Sequence, residues 1–95
     1  MVNAVVLIQC EIDAIPEAAQ AIADIEGVSE VYSVAGEWDL VAIVRVGNHE
    51  DLAKVIPGGV AKVDGVERTE TLIAFQVYSK HDLEAIFSVG FEEGA

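Results

Sequence analysis

The sequence predicts an α+β domain in the order strand, helix, strand, strand, helix, strand, and three observations carry that prediction. Two segments, residues 2–11 and 40–46, are apolar on both alternating faces, as strands in the middle of a sheet are. Two others have apolar residues recurring at three and four, the spacing of an amphipathic helix. Finally, Glu26-Gly27-Val28 and Asp64-Gly65-Val66 repeat acid, glycine and valine where a helix gives way to a strand, so the chain reads as two βαβ halves. Two such halves with short connections make a ferredoxin-like split βαβ sandwich, four antiparallel strands with both helices on one face.

The first strand, Val2 to Glu11, is a β-branched run of central-strand character. Pro16 suits the first turn of a helix, along which Ile15, Ala18 or Ala19, Ile22 and Ile25 form the apolar stripe. Gly27 stands where a left-handed residue closes such a helix. Val28 to Ala35 alternates as a strand, and the turn Gly36-Glu37-Trp38-Asp39 joins it as a hairpin to Leu40–Val46. In that strand only Arg45 interrupts two apolar faces, which calls for an acidic partner on a neighbouring strand such as Glu70 or, as the alternative, a carboxylate bound across an interface. Asn48 is placed to cap a second helix, with Glu50 and Asp51 at its positive end. Pro57-Gly58-Gly59 breaks that helix into two short pieces or kinks it, because an interior proline costs about 3 kcal/mol or more. Val66 to Ser79 is the last strand, polar first and apolar later, so one end is expected exposed and the other packed. Residues 1–80 form the domain, and residues 81–95 add the rest of a short C-terminal helix, which starts at Lys80, and a frayed tail.

Both helices on one sheet face leave the other bare. Its apolar area exceeds what a monomer usually exposes, so a second copy is the expected cover, giving a dimeric α/β barrel. Seventeen Asp and Glu against five Lys and Arg give a net charge of -12, the wrong sign for direct contact with nucleic acid or an anionic membrane. A single cysteine, Cys10, rules out an internal disulfide framework. With no leader and no apolar run of membrane-spanning length, a cytoplasmic setting is expected. His49 and His81 have no partner at metal-ligand spacing, and no phosphate loop, coenzyme fingerprint or nucleophile-base pair is apparent. No metal, cofactor or catalytic residue is therefore expected.

The run Val34-Ala35-Gly36-Glu37-Trp38-Asp39-Leu40, followed a helix later by Asp64-Gly65-Val66-Glu67-Arg68-Thr69-Glu70-Thr71, resembles the effector-binding (RAM) domain of the Lrp/AsnC (feast/famine) transcription regulators. The signature there is glycine, any residue, an aromatic and aspartate before an apolar strand, then Gly-Val and a threonine entering the last strand. The resemblance spans Val5 to Ser79. It implies a stand-alone version without the helix-turn-helix, a homodimer that builds higher oligomers, and a small amino acid bound between dimers. Gly36, Trp38, Asp39 and Thr71 match the ligand-binding positions, and a full-length regulator of the family is an implied partner. Trp stands where Tyr is commoner, and the Pro57-Gly58-Gly59 break is a second departure.

The residues themselves leave two readings open at each position. Gly36 either lets a ligand approach bare backbone or supplies a turn's positive φ. Asp39 either accepts from a ligand ammonium or folds onto its own turn, and Thr71 is either a contact or a β-former. The expected function is a non-enzymatic amino-acid sensing and oligomerisation module related to transcription regulators. The alternatives are a dimeric α/β-barrel enzyme of the small monooxygenase type, its cavity lined by residues such as His49, Trp38 and Tyr32, and a purely structural assembly domain with Trp38 filling the pocket.

Overall fold

The computed structural model describes residues 1–78 and Lys80. Its elements are β1 (Val2–Cys10), α1 (Ile15–Ala23), β2 (Val28–Ser33), β3 (Leu40–Val46), α2 (His49–Val55) and β4 (Val66–Ile73). The strands form one sheet in the order β2-β3-β1-β4, with every neighbouring pair antiparallel. The two strands that are apolar on both faces are thus the two central ones. This is the ferredoxin-like fold that the sequence predicts.

One face of the central strands, Ala4, Val6, Ile8 and Cys10 of β1 with Leu40, Ala42, Val44 and Val46 of β3, is buried under the helices. Ala18 and Ile22 of α1, Leu52 and Val55 of α2, and Ile56 and Val60 beyond it complete the core. Pro16 lies in the first turn of α1, as its fixed φ favours. The helix stops at Ala23, short of Gly27, because Ile25 bonds back to Ile22 and Val28 to Ile25, each at 3.1 Å. These tight turns keep Ile25 packed on the core while the chain swings toward β2.

The Asn48 side chain caps α2 by accepting from the Asp51 N–H at 3.1 Å, an interaction of about 1 kcal/mol. After Pro57 the chain resumes as a 3-10 turn at Val60–Lys62, so the expected two pieces are found. The last strand departs from expectation, because its apolar half is not packed within the chain. Pairing with β1 has reached Ala4 opposite Ile73, and the Ala74 N–H to the Asn3 carbonyl closes it at 2.9 Å. β1 has almost no residues left to pair, so Phe75 and Tyr78 stand exposed. The expected helix at residues 80–89 and the tail lie, Lys80 aside, outside the described residues.

The second sheet face carries no helix among the described residues. Two rows of paired residues cross it, Glu30-Ile43-Val5-Leu72 and Tyr32-Val41-Leu7-Glu70. Its centre is apolar, and its outer strands mix Glu30 and Glu70 with Tyr32 and Leu72. Arg45 lies on this face opposite Asn3, and the pairing expected with Glu70 is not formed. Glu70 sits on β4 opposite Leu7, with all of β1 between it and the strand of Arg45.

Candidate functional site

The β2–β3 connection is pinned at its exit. Asp39 places its main-chain N–H on the Ile8 carbonyl at 2.9 Å and its carbonyl on the Val34 N–H at 3.0 Å, so the hairpin closes and leans on β1. Its side chain reaches across to β1 and does not fold back onto its own turn. Oδ2 accepts from the Cys10 N–H at 2.9 Å, across 29 positions of sequence. β3 begins at Leu40, opposite Ile8, and β4 slips register between Gln9 and Cys10, so the carboxylate supplies an acceptor where the ladder ends.

Gly36 has a φ of +130°, a backbone conformation open to few other residues, and a Cβ built there would meet nothing within 4 Å. The backbone at this point is bare and faces open space. Next to it Gln9 donates to the Glu37 carbonyl at 2.8 Å. The half-buried Trp38 lies under the Arg68 guanidinium, 4.6 Å from ring centroid to Arg68 Cζ. Arg68 Nη2 is also 3.8 Å from Glu37 Oε1. Exposed cation–π contacts contribute about 0.5–1 kcal/mol and exposed ion pairs about 0–1 kcal/mol, so the outer turn is held in place weakly.

Gly36, Trp38 and Asp39 thus share one turn, on the rim where the open face meets the end of β1. Thr71 does not join them within the chain. It pairs with Val6, whose side chain points into the core, and is exposed on the helix side of the edge strand β4. Arg68, three residues earlier and on the opposite face, is the β4 residue that reaches the turn. Sequence reasoning does not single out Arg68; the signal available is an arginine in a stretch, residues 67–71, that otherwise holds only glutamates and threonines.

Two other side chains and a groove stand outside the turn's own residues. Cys10 is buried, and burial, then Asp39 and Glu67, push its thiol pKa up, which disfavours the nucleophilic thiolate. Tyr32 donates to Glu30 at 2.6 Å, and that bond raises its pKa. A surface groove of about 600 Å³ opens at the far end of β3, lined by Gly27, Arg45, Gly47, Asp51, Lys54 and Val55 among others. It includes none of His49, Tyr32 and Trp38. Being separated from the turn by the length of β3, it belongs to a different part of the molecule. No described helix is long and apolar enough to cross a membrane.

A family model described as the Lrp/AsnC ligand binding domain matches residues 3–83. The chain is 45% identical to TTHA0845 of Thermus thermophilus, whose crystal structure superposes with a TM-score of 0.80 over 84% of this chain and 100% of that one. It is 42% identical over 59 residues to the HTH-type transcriptional regulator PF0250 of Pyrococcus furiosus, a match spanning 62% of this chain and 39% of that protein. Escherichia coli AsnC shares the fold at 23% identity, with a TM-score of 0.76 over 82% of this chain and 53% of that one. The match therefore takes in well under two thirds of the curated regulator and the whole of the Thermus chain.

Proposed function

The chain belongs to the Lrp/AsnC ligand binding domain family, and on that footing we propose that it is a non-enzymatic cytoplasmic module that senses a small amino acid at the turn of residues 36–39. The observation that carries this reading is the turn itself: Gly36 leaves its backbone bare beside open space, Trp38 offers a half-buried wall, and Asp39 holds both in place. A zwitterion needs donors, acceptors and an apolar surface close together, and the turn supplies all three. Thr71 faces the other side of the sheet, so it can serve the same ligand only from another copy of the chain.

That requirement agrees with the bare sheet face, which a second copy covers. The module then acts by changing its own assembly, or by co-assembling with a full-length regulator of its family. Native mass spectrometry with and without a mixture of the common amino acids tests the reading. Even-numbered oligomers that retain an amino acid, or change assembly in its presence, are the expected result. An assembly indifferent to the mixture would overturn the sensing role, and a monomer would overturn the assembly.

A further inference from the structure

Five cationic side chains serve a chain of net charge -12, and one of them, Arg68, stands over the sensing turn. Its Cζ lies over the Trp38 ring, 4.6 Å from the centroid, and a guanidinium carries five N–H donors that an aromatic ring alone does not satisfy. One edge nitrogen looks toward Glu37 Oε1 at 3.8 Å. A closed guanidinium-carboxylate hydrogen bond is about 2.7–2.9 Å, so this contact is loose. Both side chains remain open to solvent, with Arg68 58% and Glu37 73% exposed. The arrangement is a planar fork on an aromatic platform, faced by a carboxylate that does not close on it.

We propose that Arg68 is the carboxylate-binding residue of this site, with Trp38 as its platform and Glu37 as an internal stand-in that a ligand's carboxylate displaces. The inference rests on the sensing role given above and narrows it to ligands with a free carboxylate. A guanidinium fork matches a carboxylate in two parallel bonds, whereas an amide or a bare amine cannot form that pair. In a strongly acidic chain an exposed anion is otherwise repelled, so a cation at the rim selects where a carboxylate can settle. Trp38 is then a wall of the site and not its plug.

Trp38 is the only tryptophan, so its emission reports on the site directly. The full chain is titrated with each common amino acid, then with the amide and the decarboxylated amine of the tightest binder, following emission and heat in parallel. Expected are binding of the amino acid, loss of roughly tenfold or more with the amide and the amine, and a similar loss in Arg68→Gln. Glu37→Gln removes the internal competitor and tightens binding by up to about fivefold. An amino acid that binds the wild type, Arg68→Gln and Glu37→Gln equally would overturn the role of Arg68 and leave the sensing module standing. No amino acid bound by the wild type or by Glu37→Gln would overturn both.

Discussion

The bond from the Cys10 N–H to Asp39 sits where β1 leaves the sheet, and it makes Asp39 a structural residue before any ligand arrives. Asp39→Ala removes a partly buried charged acceptor and is expected to lower unfolding free energy by about 1–2 kcal/mol in urea. Asp39→Asn keeps an oxygen for the same N–H and should lose less than half as much. Equal stability of both variants and the wild type would show that the bond contributes nothing. This contact was not legible in the sequence, where the choices for Asp39 were its own turn or a ligand. Its partner lies 29 positions away and is set by the strand register. The meeting of Trp38 with Arg68 is hidden for the same reason, since no local pattern says which residue of β4 stands beside Gln9.

Elements were more legible than contacts because their signals are local. Apolar residues on both faces marked β1 and β3 as central, Asn48 marked the start of α2, and Pro57 marked its end. What failed was the reach of elements that depend on a partner's length. β4 has strand chemistry beyond Ile73, but β1 ends first. The repeated acid-Gly-Val pattern did identify the helix-to-strand turns, and the second of them gives a sharp comparison. Gly65 has a φ of +91°, and an added Cβ would fall 2.5 Å from Ala14 Cβ. Gly65→Ala combines backbone strain with a clash and should cost about 2–3 kcal/mol or more, whereas Gly36→Ala, at a φ of +130° with nothing nearby, meets backbone strain alone. Thermal unfolding of the two variants should therefore place Gly65→Ala well below Gly36→Ala; the reverse order would contradict the packing at Ala14.

The two sheet faces make opposite demands on neighbouring residues of the whole molecule. Leu7 lies half-buried on the bare face, while Ile8 is fully buried beneath the helices. Leu7→Glu should leave the circular dichroism of the fold intact and shift the protein to a monomer in light scattering, because the charge would be trapped between copies. Ile8→Glu should prevent folding altogether. A Leu7→Glu protein that remained oligomeric would place the interface elsewhere. The strand order has a further consequence for how the chain is made. β1 is synthesised before the other three strands yet takes its outer partner, β4, from residues 66–73, so a chain emerging from the ribosome exposes one flank of a central apolar strand until nearly all of the sheet has been translated.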